Sequence, residues 1–477
     1  MSYRQVYYQR ISKNVSFFLG YKPCFFYFFG VVGRKKQEIT VCFVSLGCPK
    51  NVVDSERMLA ELAQAGLPIT TETDNADVVV INTCGFIAPA QAESLKAIRD
   101  AVDCKLSGAV KKVIVAGCLS ERLGTELFEK VNDIDAIVGL GQRDNIAEIV
   151  KKTFSSGSSN AYLDHSPQTI SDDRARLLIT PGHWAYLRIS EGCDRRCSFC
   201  TIPAIKGRFR SKPRELVLAE AAELVSAGVL ELNIIAQDST YYGRDLKSKY
   251  MLSDLARELE LIDDIAWIRL MYLNPAGIDD RLIETIAESD KVVHYLDIPI
   301  QHVNDKILKA MRRPDTKDGL QRLIERLRSA MSDIVLRTTL IVGFPGETDE
   351  QFAELLDFVK WAEFDALGCF KFYPESGTEA AKMPGQIPRK VKQQRLEELM
   401  LTQQKIAFAG NKDRVGDKLT CLVDSVDSKG FGLGRFYGQA PDIDSICIIE
   451  NCSAKSGQFI DTRVIGTKDY DLLVEQI

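Results

Sequence analysis

In residues 186–203, YLRISEGCDRRCSFCTIP, an apolar run ends in a cysteine-rich loop. Cys193, Cys197 and Cys200 have the spacing C-x3-C-x2-C, which places three thiols on one compact loop just after a predicted strand. A ferredoxin-type run supplies four cysteines and saturates its cluster, whereas no fourth cysteine or histidine lies near this loop. The same shortage argues against a structural zinc knuckle. The loop therefore predicts an iron–sulfur cluster with one iron open to a chelating small molecule.

Downstream of the loop, short apolar runs alternate with amphipathic helical stretches. Strand-like runs include LELNIIAQD, residues 230–238, and VLRTTLIVGFPG, residues 335–346. A helical example between them is SDLARELELI, residues 253–262. This alternation predicts a parallel β/α arrangement over residues 179–411.

Upstream of the loop, three continuous apolar runs each end at a cysteine and are each followed by a predicted helix. The runs end at Cys48, Cys84 and Cys118. Such runs are typical of a parallel sheet covered on both faces, so residues 37–150 predict a doubly wound α/β domain. The carboxyl ends of parallel strands meet at one edge of the sheet, where we expect the three cysteines to converge. They predict a second iron–sulfur site, and the alternative is ordinary buried cysteine.

The remaining segments complete the predicted domain organisation. Residues 1–36 are apolar and aromatic but too short and interrupted to span a bilayer, and we interpret them as a non-catalytic extension or an upstream start codon. The polar stretch 151–178 has no sustained periodicity, which indicates a linker. Residues 412–477 contain short strands with turn signals, which indicates a small β-barrel.

Charge and cysteine content limit the function classes. With 61 Lys and Arg against 66 Asp and Glu, the net charge of -5 gives no general argument for nucleic-acid or membrane binding. Thirteen cysteines in 477 residues are too dilute and irregular for a disulfide scaffold. They indicate reduced thiols and metal ligation in a cytoplasmic enzyme.

The cysteine loop resembles the signature of the radical S-adenosylmethionine (SAM) superfamily, whose core is a partial, TIM-like β/α barrel. Together with the upstream cysteines, it resembles the methylthiotransferase family within that superfamily. The resemblance implies two [4Fe-4S] clusters and two uses of SAM, one as methyl donor and one as source of a 5'-deoxyadenosyl radical. It also implies that Phe199, Gln237 and the backbone at Ile341 and Gly343 contact SAM. No catalytic side chain is predicted, because the cofactors carry the chemistry.

Two further motifs resemble one branch of this family, which methylthiolates the β-carbon of an aspartate in ribosomal protein uS12. They are SLGCPKNVVDSE, residues 45–56, and GRFYGQAPDID, residues 434–444. The alternatives are a tRNA adenosine methylthiotransferase and a non-enzymatic iron–sulfur protein that binds RNA or the ribosome. The resemblance implies a flavodoxin- or ferredoxin-type electron donor and a sulfur carrier as further partners.

The C-terminal segment resembles a TRAM domain, a small OB-like barrel often used to hold RNA. Residues 416–477 contain six basic and ten acidic side chains. Because a phosphate-binding surface should be basic, this balance favours a basic protein partner over tRNA. An incidentally acidic solvated surface is the alternative.

Overall fold

The computed structural model describes residues 39–164, 172–247 and 250–477, which form two compact units. The first unit contains residues 39–164 and 175–177, and the second contains the remaining described residues. The predicted extension at residues 1–36 lies outside the described part of the chain. Within the described ranges, no helix is both long and apolar enough to cross a membrane.

The first unit is built on a six-stranded sheet in the order β2-β1-β3-β4-β5-β6, and every pairing in it is parallel. Separate hydrophobic clusters cover its two faces, as the continuous apolar runs require. The doubly wound prediction is confirmed. The strands are β1 (Val41–Ser45), β2 (Ile69–Thr70), β3 (Val78–Thr83), β4 (Lys112–Gly117), β5 (Ala136–Val138) and β6 (Asn160–Tyr162); the helices are α1 (Pro49–Gln64), α2 (Ala88–Leu106), α3 (Cys118–Leu123), α4 (Glu126–Lys130) and α5 (Ile146–Ser155).

The prediction that residues 151–178 form a linker is wrong for the first part of that range. Helix α5 extends into it, and β6 lies within it and pairs with β5 as the last strand of the sheet. The strand has only three residues, Asn160, Ala161 and Tyr162, which are too few to give an apolar run to recognise. Residues 165–171 of the predicted linker lie outside the described residues.

The second unit contains a six-stranded parallel sheet in the order β14-β13-β12-β11-β10-β7, which confirms the predicted partial β/α barrel. A short antiparallel pair follows its first strand. The strands are β7 (Trp184–Arg188), β8 (Ser190–Glu191), β9 (Arg210–Ser211), β10 (Glu231–Ile235), β11 (Trp267–Leu270), β12 (Val292–Asp297), β13 (Val335–Val342) and β14 (Ala366–Lys371); the helices are α6 (Ile202–Lys206), α7 (Arg214–Ser226), α8 (Leu252–Glu260), α9 (Asp280–Glu288), α10 (Asp305–Ala310), α11 (Lys317–Ala330), α12 (Asp349–Ala362) and α13 (Arg389–Asp413).

The same unit ends in a closed five-stranded barrel in the order β15-β16-β17-β19-β18, which confirms the predicted small β-barrel. Strand β18 (Phe459–Lys468) alternates buried and exposed side chains over residues 460–465, so one side of it fills the interior. The strands are β15 (Lys418–Val426), β16 (Gly432–Phe436), β17 (Cys447–Glu450), β18 (Phe459–Lys468) and β19 (Asp471–Gln476).

Buried ion pairs join this barrel to the β/α core. Arg435 is 2% exposed and donates to Glu231 of β10 at 2.6 Å and to Asp424 at 2.8 Å. Asp444 accepts from the Tyr295 hydroxyl at 2.7 Å and from Arg337 at 3.2 Å. The GRFYGQAPDID segment is therefore a contact between the barrel and the core.

Because of these contacts, the charge count for residues 416–477 overstates how acidic the surface of the barrel is. Part of the acidic surplus, including Asp424 and Asp444, is paired with core or barrel cations. Seven acidic and five basic residues of the segment are exposed, against ten and six in its sequence. The barrel surface is acidic, but less so than its composition indicates.

Candidate iron–sulfur and S-adenosylmethionine sites

The loop set, defined as Cys193, Cys197 and Cys200, lies between β8 and α6. Ser198 anchors its middle: the Ser198 N–H donates to the carbonyl of Met311 at 3.1 Å, and its hydroxyl donates to the carbonyl of Ala310 at 2.7 Å. The Cys200 N–H donates to the Cys197 carbonyl at 3.1 Å, which closes a tight turn. The loop is thus folded on itself and tied to the end of α10.

Burial dominates the acid–base state of the loop set. Burial, together with the nearby thiols of the set, raises the pKa of Cys193 to about 11 and that of Cys200 to about 12. Burial also raises the pKa of Cys197, although Arg313 and Arg195 oppose it. Without iron these thiols are protonated at neutral pH, so iron binding must displace their protons. Among the described residues, no three His, Cys, Asp or Glu side chains are grouped in a way that would hold a single metal ion.

Two of the predicted SAM-contact residues lie together beside the loop set. Phe199, between two of its cysteines, and Ile341 of β13 both pack against one small hydrophobic cluster. Residues far apart in the sequence therefore form one apolar wall next to the cysteine loop. The buried members of the cluster are Ile307, Met311, Phe344, Phe372 and Ala380.

Gly343 follows Ile341 at the end of β13 and can only be glycine. Its φ is +72°, and a Cβ there would lie 2.4 Å from Cγ of Lys392. Its N–H donates to the Glu347 carboxylate at 2.5 Å, which also accepts from the Phe344 N–H at 3.0 Å. Arg395 of α13 holds that carboxylate at 3.0 Å. Sequence reasoning missed these supporting side chains, because only the fold brings α13 to this turn.

Gln237, which follows β10, carries an unsatisfied acceptor. Its amide nitrogen donates to Glu191 at 2.8 Å, two residues before Cys193. Its Oε1 atom is buried and has no hydrogen-bond partner among the described residues. Because a buried acceptor without a partner is costly, this oxygen suits an N–H or O–H group of a bound ligand.

The strand-end set, defined as Cys48, Cys84 and Cys118, follows β1, β3 and β4, which are neighbours in the sheet. Cys48 is exposed and is the N-cap of α1, whereas Cys118 is buried and begins α3. The turn before Cys48 touches Cys84, since a Cβ on Gly47 would lie 2.9 Å from the Cys84 Cβ and 3.4 Å from its Sγ. With φ at +97°, this turn requires glycine.

Asn51 is the side chain that links the three strand ends. It is 2% exposed, and its Nδ2 donates to the carbonyls of Leu46 at 2.5 Å and Thr83 at 3.2 Å. Its Oδ1 faces the Cys118 thiol at 4.0 Å. The Pro-Lys-Asn sequence after Cys48 thus contains a residue that holds the strand-end set together, a role that sequence reasoning missed.

Known families match three parts of the chain. Residues 187–359 match the radical SAM superfamily, residues 40–139 match the uncharacterized protein family UPF0004, and residues 415–477 match the TRAM domain. Each match falls within one predicted domain. The radical SAM match supports an iron–sulfur cluster and SAM as cofactors.

Solved structures and curated relatives extend these matches. The fold is similar to the radical SAM methyltransferase TsrM from Kitasatospora setae, with a TM-score of 0.51 at 14% identity over 82% of this chain and 79% of that one. The ribosomal protein uS12 methylthiotransferase RimO of Geobacter sulfurreducens is 45% identical over 94% of this chain and its own full length. RimO of Symbiobacterium thermophilum is 44% identical over 92% of this chain and 91% of its own. The chain belongs to the RimO family of methylthiotransferases.

Proposed function

We propose that the protein methylthiolates the β-carbon of an aspartate in ribosomal protein uS12. The observation that carries the proposal is that this chain, similar over nearly its full length to enzymes named for that reaction, has two separate sets of three cysteines. A second, tRNA-directed activity has no comparable support, since the exposed surface of the small barrel is acidic. Action on a ribosomal protein places the enzyme in the cytoplasm.

We assign one [4Fe-4S] cluster to the loop set and a second to the strand-end set. A reduced cluster of this kind would supply the electron with which SAM yields the radical that removes hydrogen from an unactivated C–H bond, and the second cluster would supply sulfur. Phe199 and Ile341 form the apolar wall against which SAM packs. Gln237 Oε1 would accept a hydrogen bond from SAM, and the glycine at 343 leaves room for the Lys392 side chain beside this turn.

The chain's own residues then bind and orient SAM. The Glu347 carboxylate holds the turn at Gly343 and Phe344, and Arg395 fixes the carboxylate from α13. Electrons come from a flavodoxin- or ferredoxin-type protein, and a sulfur carrier renews the strand-end cluster.

The test is the mass of uS12 from a strain lacking this gene. Replacement of hydrogen by SCH3 adds about 46 Da, so uS12 from the deletion strain should be lighter by that amount. Nucleosides from tRNA of the same strain provide the comparison. An unchanged uS12 mass, together with loss of a methylthiolated nucleoside, would establish the tRNA activity instead.

A further inference from the structure

A basic rim borders the loop set, although the whole chain is acidic. Residues 191–212 carry six Lys or Arg and two acidic residues, in a chain of net charge -5. We define the arginine rim as Arg195, Arg196, Arg208 and Arg244. Arg196, Arg208 and Arg244 are exposed, and the Arg208 side chain is 90% exposed.

Aromatic contacts hold part of the rim in place. The guanidinium groups of Arg195 and Arg244 lie 5.6 and 5.4 Å from the centroid of the Tyr241 ring. Phe209 contacts the same ring edge-on at 5.0 Å between centroids. Arginines that are already ordered lose less side-chain entropy when a partner binds.

Two exposed carboxylates next to the rim arginines, those of Asp194 and Asp245, accept hydrogen bonds from the backbone. Asp194 accepts from the Phe209 N–H at 3.1 Å, and Asp245 accepts from the Ser211 N–H at 2.9 Å. Two rim members are also ion-paired: Asp194 lies 3.4 Å from Arg208, and Asp238 accepts from Arg195 at 2.9 Å. Four arginines against the carboxylates of Asp194, Asp238 and Asp245 leave the rim with a small excess of positive charge, and Arg196, Arg208 and Arg244 carry it at the surface beside the loop that we assign to a cluster.

We propose that the arginine rim is the docking surface for an acidic one-electron carrier protein that reduces the cluster of the loop set. This inference rests on the proposed function, which requires a reduced cluster before SAM can be cleaved. The carrier loses one electron and the cluster gains it, and no bond forms or breaks. Complementary charge steers such a carrier to the one loop where electron transfer is useful. RNA on the same surface would obstruct that approach.

The test compares a protein donor with a small chemical donor. Full-length reconstituted enzyme carrying Arg196→Glu, Arg208→Glu and Arg244→Glu is titrated with flavodoxin, and SAM cleavage is driven either by reduced flavodoxin or by dithionite. We expect the Kd for flavodoxin at low salt to rise by about 10-fold or more, and its salt dependence to flatten. Dithionite-driven cleavage should stay within about twofold of wild type, because dithionite needs no docking surface.

The matched control reverses three exposed charges elsewhere in the same unit: Arg257→Glu, Arg326→Glu and Lys360→Glu. It changes the net charge equally and should leave the Kd for flavodoxin near the wild-type value. The single change Arg208→Glu, at the most exposed rim position, provides a variant with the least risk to folding.

Three results would overturn the proposal. They are an unchanged Kd in the triple rim variant, an equal loss in the control, and a loss of dithionite-driven cleavage as large as the loss with flavodoxin. Weakened binding of ribosomal RNA with an unchanged Kd for flavodoxin would assign the rim to RNA and also overturn it. Failure of the proposed function is separate: wild-type enzyme would then cleave SAM with dithionite but leave uS12 unmodified.

Discussion

The loop set and the strand-end set are gathered by opposite means. The loop set lies within eight consecutive residues, residues 193–200, and hydrogen bonds made by Ser198 inside that loop tie it to the end of α10. The strand-end set is spread over three strands and converges only because β1, β3 and β4 pair side by side. In the loop set, the short chain between the cysteines keeps them close together. In the strand-end set, their proximity depends on the register of the strands and on the buried amide of Asn51.

The largest effects are expected when each cysteine set is removed in turn by three Cys→Ala substitutions. Without the loop set we expect both SAM cleavage and uS12 methylthiolation to disappear, because that set binds the cluster that meets SAM. Without the strand-end set, cleavage should persist while methylthiolation disappears. The measurements are iron content, 5'-deoxyadenosine formation and uS12 mass, with Cys104→Ala as a control outside both sets.

Methylthiolation that survives loss of the strand-end set would show that these cysteines do not supply sulfur. Cleavage that survives loss of the loop set would break the assignment of that loop to SAM.

Gly343→Ala should weaken SAM binding without changing iron in either set. The new Cβ would meet Lys392 Cγ at 2.4 Å, so the end of β13 must move. We expect the KM for SAM to rise about 10- to 100-fold, which is about 1.4 to 2.8 kcal/mol. Gly346→Ala is the control, since its φ is also positive, at +80°, but no atom lies within 4 Å. An equal effect at both positions would assign the loss to backbone strain alone.

Asn51→Ala should damage only the strand-end set. Leaving the Leu46 and Thr83 carbonyls without this donor costs about 1 to 3 kcal/mol of the free energy of unfolding of the first unit. We expect lower iron retention there, seen as loss of up to half the total iron, with SAM cleavage kept. The exposed Asn75→Ala is the control. Normal iron content in Asn51→Ala would show that the strand ends hold their positions without the amide.

The smallest effect is expected for Ser198→Ala. The change removes one hydrogen bond to the Ala310 carbonyl and costs about 0.5 to 1.5 kcal/mol. The backbone bond from Ser198 to Met311 remains, so SAM cleavage should fall by less than about 10-fold and the strand-end iron should not change. Ser226→Ala, whose hydroxyl bonds within one helix end, is the control. A complete loss of cleavage would mean that the loop depends on its neighbours as much as the strand-end set does.

Most of the architecture could be predicted from local patterns. Continuous apolar runs predicted both parallel sheets, and short strands with turn signals predicted the closed barrel. The three-residue strand β6 was missed, because three residues are too few to show a periodicity and its place follows only from pairing with β5. Both cysteine sets were predicted as metal ligands from their positions, and they stay predictions until iron is measured.

The residues that support the sites could not be predicted. Asn51, Glu347 and Arg395 acquire their roles from partners that the fold brings near, such as Thr83 for Asn51 and the turn at Gly343 for Glu347. Nothing in their local sequence distinguishes them from exposed polar residues.

Local sequence patterns were enough to predict the spacing of the loop set, the strand ends that carry the other cysteines, and the order of the domains. These depend on short-range periodicity and on residue spacing. The positions of the charges in the C-terminal barrel follow from the folded structure, because Arg435 pairs with Glu231, about two hundred residues earlier in the chain. Burial and ion pairing depend on contacts between distant segments, so a charge count cannot locate a binding surface.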